Sequence, residues 1–321
     1  GNHDALNWSS YTNSTSDRIF SIPQFVEENA DHLKAKYLEL IYDFGEVKVD
    51  GNRIVDHLIF RKNFSFWWMT IFTEKSNYGK SPHINNIIKL MALEQWLEDK
   101  KYQKIKLVTS NPELALSVSL LAEKLLIDFD WKKEKNNKSN ISILKQVFRV
   151  LPNIIKSPIW LVHYLIFNWS LKGSGVKEWT KTTATSTFVS YLFNLVPEAQ
   201  KKGRYESRYW TSLTDVLDDN HHSSNWLHMY IKDGLLPSAK KARNLIRTFN
   251  SDQNSNQVHV TLASFLTISL IFNTLRDWYK IMKLSKLVHK HIKLNSLYLW
   301  PLFKNDSQDS MVGVPAISNL L

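Results

Sequence analysis

The stretch Lys104–Ser110 limits the fold of this chain more than any other. It reads KIKLVTS, runs at once into Asn111-Pro112-Glu113, and continues as the apolar run Leu114–Leu126. A short apolar strand, a polar loop and a helix form the repeating unit of α/β folds, in which ligands collect beyond the carboxyl ends of the strands. Asn111 suits the cap of that helix, and its place after the strand makes it a candidate ligand contact. A second unit follows: Thr187–Asn194 as a strand, a polar cluster at Arg204–Trp210, a helix at Ser212–Leu217 and a strand at Asn225–Ile231. The chain has no glycine-rich phosphate loop, so no dinucleotide fingerprint is assigned. These signals predict an α/β fold: a Rossmann-like, mainly parallel sheet holding both 104–110 and 187–194, with helical insertions.

The remaining segments are placed around that sheet. Residues 1–20 read as a polar lead-in. Ser21-Ile22-Pro23 announces a helix that runs to Gly45, with Ser as cap and Pro in the first turn. Asp50-Gly51 predicts a hairpin within Val47–Val55. A helix opens at Pro82, Asp128–Trp131 reads as a strand, and 132–140 is a polar break. The helical insertion at about 141–172 is interrupted by Pro152, Lys156, Pro158 and His163. It falls short of the roughly 20 apolar residues a membrane span needs. Two readings stay open for it: an interfacial helix anchored by Trp160, Tyr164 and Trp169, or a buried helical hairpin. Residues 237–249 form a basic helix, 258–275 a core helix, and 280–293 a basic periodic segment. The Rossmann-like domain is expected over 21–300, with 301–321 as a tail or linker toward a second domain.

Composition narrows the partners. The absence of cysteine among 321 residues excludes disulfides, cysteine-ligated zinc and thiol nucleophiles. The net charge of +11 favours an anionic partner. No finger, ribonucleoprotein or arginine-arm signature is present, so the expected partner is an acidic membrane face or a phosphorylated substrate and not nucleic acid. No metal site stands out either. Asp128-x-Asp130 runs into a lysine-rich loop, and His221-His222 sit in a polar one.

The chemistry concentrates in Ser65–Pro82, reading SFWWMTIFTEKSNYGKSP. An apolar wall of Phe66, Trp67, Trp68 and Phe72 stands beside Glu74, and such a wall raises the proton affinity of a carboxylate. Glu74 is thus the candidate catalytic base. Lys75, Lys80 and Ser81 are candidates to receive an anion. Arg204 and Arg208 flank Tyr205 and Glu206, and arginine forks suit carboxylate or phosphate. The same residues also fit a buried aromatic cluster with surface ion pairs. His83 and His228 are lone histidines, which are more often structural.

Several of these motifs occur together in one family. Ile22-Pro23, Tyr42–Gly45, Ser65–Met69, Glu74–Ser76 and Lys80–Pro82, then Glu206–Trp210 and Asn225–His228, resemble bacterial surface-carbohydrate (O-antigen type) biosynthesis proteins. The resemblance implies a glycosyltransferase of GT-B type, of which this chain is the acceptor-side half. It implies sugar transfer from a nucleotide-sugar donor to a membrane-linked glycan acceptor, with no tightly bound cofactor. Glu74 is expected to deprotonate the acceptor hydroxyl and Trp67 or Trp68 to stack on sugar. Lys75, Lys80, Ser81, Asn111, Arg204, Glu206, Arg208, Tyr209 and His228 are expected to contact substrates. The expected location is the inner face of the cytoplasmic membrane, held peripherally. The competing reading is a non-catalytic carbohydrate- or lipid-binding module, which shares the aromatics but needs no titrating base.

Overall fold

A computed structural model describes residues 4–11, 19–98, 100, 102–134, 148, 151–210, 212–252, 255–291 and 297–321. The fold is mixed α/β with small parallel sheets. The chain forms two compact units: unit 1 is 1–157 with 276–320, and unit 2 is 158–275 with Leu321. The expected range 21–300 is thus distributed over both.

Unit 1 is built mainly of helices. A parallel pair, β1 (Ala5–Asn7) and β2 (Ile19–Ser21), precedes α1 (Ile22–Glu28). Ser21 Oγ accepts from the Gln24 amide and Pro23 sits in the first turn, the expected start signal. The single helix expected up to Gly45 is broken at Asn29, whose own amide and side chain both donate to the Phe25 carbonyl. The chain then restarts as α2 (Ala30–Glu46). The predicted hairpin is present as β3 (Lys48–Val49) and β4 (Asn52–Arg53), with Asp50 and Gly51 both at positive φ. A four-residue α3 (Ile54–His57) and the short pair β5 (Ile59–Arg61) and β6 (Phe64–Ser65) follow.

The run Phe66–Met69 is a 3-10 helix. After it come α4 (Pro82–Glu98), β7 (Lys104–Thr109), α5 (Pro112–Lys124) and β8 (Asp128–Lys133), with β7 and β8 parallel. Residues 135–140 of the expected polar break, and 141–147 of the insertion, lie outside the described residues.

Unit 2 carries a three-stranded parallel sheet: β9 (Ser186–Leu192), β10 (Ser224–Tyr230) and β11 (Gln257–Thr261), in the order β11-β10-β9. Its helices are the second part of α6 (Asn153–Asn168), α7 (Val176–Trp179), α8 (Pro197–Lys201), α9 (Leu213–Asp219) and α10 (Ala239–Asn250). The first turns of α11 (Ile268–His291) complete it.

Three expectations are corrected here. Among the described residues, strands 104–109 and 186–192 do not share a sheet: β7 pairs with β8 and β9 with β10. Both were legible as strands, but β7 alternates exposed and half-buried residues and is not the buried strand expected, and apolar sequence does not encode its pairing partner. The run 258–275 is not one core helix. It divides into β11, a 3-10 turn at Leu262–Phe265 and the start of α11, because Thr261 and Ser264 form a capping box that ends the strand. Residues 301–321 are not a linker. They form α12 (Trp300–Val312) and α13 (Val314–Leu320), which bury Leu302, Phe303, Met311 and Ile317.

A pair of histidines organises the core of unit 2. His228 on β10 and His259 on β11 are fully buried and stack nearly parallel at 5.3 Å. His228 Nε2 and His259 Nδ1 lie 3.0 Å apart, so one donates to the other. Tyr205 and Trp226 pack against both rings. Asn250 at the end of α10 accepts from the His259 amide at 2.6 Å and donates to its carbonyl at 2.8 Å. Gly175 (φ +74°) approaches the same carbonyl so closely that a Cβ there would lie 2.2 Å from it.

Two outcomes are expected from this arrangement. Gly175→Ala should destabilise unit 2 by about 2 kcal/mol or more, since strain at positive φ adds to a backbone clash; an unchanged urea midpoint would refute the close approach. Burial also pulls His228 down to about 3 and His259 well below the ordinary histidine value. Below about pH 6.5 the unfolded chain therefore binds protons that the folded chain refuses, so stability falls as pH drops from about 6.5 toward 3. Each histidine contributes up to about 2 kcal/mol of loss between pH 7 and pH 5. Urea unfolding at the two pH values reads the difference, and equal midpoints would show that the pair takes up protons while folded.

Candidate functional site

The aromatic segment becomes the wall of a cavity in unit 1. Phe44 of α2, Trp67, Phe72 and Phe303 of α12 form one buried cluster. Phe72 and Phe303 stack at 4.5 Å, and Phe44 meets Phe303 edge-on at the same distance. Because the 3-10 helix turns the chain between neighbours, Trp67 points into this cluster while Trp68 is 62% exposed. Trp67 packs on Gly45 of α2, where an added Cβ would already be in contact at 3.4 Å.

Beyond Phe72 a polar knot holds the turn that carries Glu74. Asn77 is buried; its side-chain amide donates to Tyr37 Oη at 2.9 Å and to the carbonyls of Ile71 and Phe72. Tyr37 Oη in turn donates to the Phe72 carbonyl. Burial pushes the Tyr37 phenol well above its usual range, so it stays a neutral donor. Ser76 takes the left-handed conformation between Glu74 and this knot.

The resulting cavity measures about 920 Å³ and runs along α2. Its floor is apolar, with Leu33, Ile41, Val55, Trp67 and Phe72. Its rim holds Tyr42, Trp68 and Tyr78, respectively 67%, 62% and 58% exposed, together with Glu46, Arg53, Glu74 and Lys75. The volume falls within the range of small-molecule sites, about 300–1,000 Å³. Large aromatic faces left in water beside charged groups can lie flat on the apolar face of a sugar while the rim meets its hydroxyls. Arg53 is held by Glu46 at 2.9 Å and by both oxygens of Asp56 at 2.7 and 2.8 Å, which fixes one charged corner of the rim.

The expected site residues separate into groups. Trp67, Trp68, Glu74 and Lys75 line the cavity. Lys80 stands next to it and forms an ion pair with Glu74; both side chains are largely exposed. Ser81 is buried and structural. Its hydroxyl accepts from the amides of His83 and Ile84 at the start of α4 and donates to Asp306 of α12. Asn111 is used in the same way: its Oδ1 caps α5 through the Leu114 amide at 3.0 Å. Both polar groups are consumed by helix ends and are not available to an anion.

Arg204, Glu206, Arg208, Tyr209 and His228 belong to unit 2 and are no part of this cavity. Arg204 is engaged by Asp215 at 3.2 Å and Asp218 at 3.4 Å of α9, an arrangement that holds that helix against the chain. Arg208 and Tyr209 are exposed past the end of β9, and Tyr209 leans edge-on against Phe193. His228 is sealed inside the core, where no substrate reaches it.

Sequence reasoning missed the α2 side of the cavity. Tyr37, Tyr42, Glu46 and Arg53 carry no local motif of binding; Tyr37 and Arg53 were read only as parts of a helix and a hairpin, and Tyr42 within the stretch Tyr42–Gly45. The signal that could have found them is the helical spacing of Leu33, Tyr37, Leu38, Ile41 and Tyr42, which leaves Leu38 and Tyr42 on the wet side. Among the described residues no cluster of histidine and acidic side chains could hold a metal ion, and no helix is long and apolar enough to cross a membrane. No protein-family model, no curated protein and no solved structure matches the chain.

Proposed function

We propose that unit 1 binds a glycan in the α2 cavity, and that the chain serves as the acceptor side of a glycosyltransferase of surface-polysaccharide assembly. The observation that carries this reading is the rim, where Tyr42, Trp68 and Tyr78 are exposed around one cavity with Glu74 at its edge. Three large aromatic faces in water are costly unless something covers them, and a sugar ring covers an aromatic face without removing its own hydroxyls from water. The resemblance of Ser65–Met69 and Glu74–Ser76 to the carbohydrate-biosynthesis family points the same way. The parallel sheet of unit 2 is in keeping with a Rossmann-like, GT-B-type ancestry.

In this reading Glu74 takes the proton of the acceptor hydroxyl as that oxygen attacks the sugar's anomeric carbon and the nucleotide diphosphate departs. The Lys80 ammonium pairs with that carboxylate, and Lys75 faces an anionic part of donor or acceptor. The second reading, a non-catalytic carbohydrate- or lipid-binding module, is favoured by one observation: Glu74 is already neutralised by Lys80.

Binding and transfer separate the two. Trp68→Ala should weaken glycan binding about tenfold through lost stacking, and an undiminished affinity would remove the cavity from consideration. Glu74→Gln should keep acceptor binding while lowering transfer from a panel of nucleotide-sugars by about 10²–10⁴-fold. Transfer that survives this change would leave only the binding reading.

A peripheral seat on the inner face of the cytoplasmic membrane completes the proposal. Ile159, Val162 and Ile166 form an exposed apolar row on α6, and the chain carries +11. Co-sedimentation with phosphatidylglycerol vesicles is expected at low salt and should be reversed at about 1 M, where charges are screened within about 3 Å. Equal recovery with neutral vesicles would discard it.

A further inference from the structure

Unit 2 holds a second cavity, of about 670 Å³, at the carboxyl edge of its sheet. Met229 and Tyr230 reach it from the end of β10, Leu262 and Ala263 from the turn after β11, and Ser238–Lys240 from the start of α10. The opposite wall is α6, through Tyr164, Ile166, Phe167 and Asn168. Two properties set this cavity apart. First, its apolar wall extends into water: Ile166 is 73% and Phe167 57% exposed. Secondly, its charge has one sign. Lys232 and Lys240 line it, no carboxylate does, and among the described residues neither lysine belongs to an ion pair.

Each property excludes a class of ligand. A purely apolar ligand makes no use of the two exposed ammonium groups that flank it. A small inorganic anion leaves Ile166, Phe167 and Leu262 in water. A nucleotide finds no acidic side chain in the lining to accept its ribose hydroxyls, the usual recognition at this edge of such sheets. What satisfies both walls is a molecule with an anionic head and a hydrocarbon chain.

We propose that this cavity binds an anionic amphiphile, a phosphate monoester bearing an alkyl chain, with the phosphate held by Lys232 and Lys240 and the chain laid against Ile166, Phe167 and Leu262. The site shares no lining residue with the glycan cavity of unit 1 and does not depend on the reading of that cavity.

The test uses the intact chain and decyl phosphate below its micelle concentration, with binding read by titration calorimetry. Saturable one-to-one binding is expected. Shortening the chain to hexyl phosphate removes four methylenes and should weaken it by about 200-fold if all four are buried, since each methylene removed from water contributes about 0.8 kcal/mol, or about fourfold. Lys232→Ala with Lys240→Ala should weaken decyl phosphate by about tenfold, and Ile166→Ser by about fivefold. Both changes are on exposed side chains, and unchanged urea midpoints confirm that the fold is kept. Inorganic phosphate, decanol and uridine diphosphate are the controls. Equal or tighter binding of inorganic phosphate would reduce the site to an anion site, of decanol to an apolar groove, and of uridine diphosphate to a nucleotide site; each overturns the proposal. So does decyl phosphate that binds the double lysine variant as well as the parent.

Discussion

The packing of Phe44, Trp67, Phe72 and Phe303 is the interaction on which unit 1 depends. It joins α2, the aromatic segment and α12, positions that lie up to 259 residues apart in the chain, from Phe44 to Phe303. Buried aromatic rings each remove a large apolar area from water and prefer edge-on or offset contacts, and this cluster shows both. Its consequence for the site is geometric. Once Trp67 is locked inward against Gly45 and Phe44, the tight turn of the 3-10 helix leaves Trp68 no place but the surface. The aromatic wall of the cavity is thus a by-product of the core and needs no separate stabilisation.

Polar groups next to the cluster are matched one by one. Asn77 and Tyr37 satisfy the carbonyls of the turn after Phe72, and Ser81 links the start of α4 to Asp306. Burial raises the proton affinity of the Asp306 carboxyl, while the Ser81 hydroxyl acts in the opposite sense. Glu94, also buried, is met by Lys124 at 2.6 Å and by the Tyr298 hydroxyl. An unmatched group at any of these places would cost about 1–3 kcal/mol. These partners explain why residues that look like ligands in the sequence, Ser81 above all, are committed to the fold. Unit 2 buries a histidine pair in place of a carboxylate, kept neutral by burial; Asn250 holds His259 through its backbone, while His228 Nδ1 is left without a partner among the described residues.

Much of the local structure was legible. Ser21 with Pro23, Asn111 with Pro112, and Asp50-Gly51 each name their own conformation, because a cap or a tight turn is decided by two or three adjacent residues. The strands at 104–109, 186–192 and 224–230 were legible from short apolar runs bounded by polar loops. The division of 258–275 was not: Thr261 and Ser264 end the strand through hydroxyl bonds that hydropathy does not register. Of the candidate site, Trp67, Trp68, Glu74 and Lys75 could be read because they are contiguous. Tyr37, Tyr42, Glu46 and Arg53 could not, since they join the cavity only through the packing of α2.

By itself, then, the amino-acid sequence determined the α/β character, the caps and turns, the absence of cysteine chemistry, the basic charge and one continuous aromatic-acidic segment. Those properties follow from interactions between near neighbours or from composition alone. Tertiary structure decided which strands pair, that residues 300–320 are helices packed into unit 1, that His228 is core and Ser81 a cap, and which residues enclose each cavity. The physical reason is the same in every case. Burial and pairing depend on residues far apart in the chain, and a side chain's chemistry is available to a ligand only when no distant partner has already taken it.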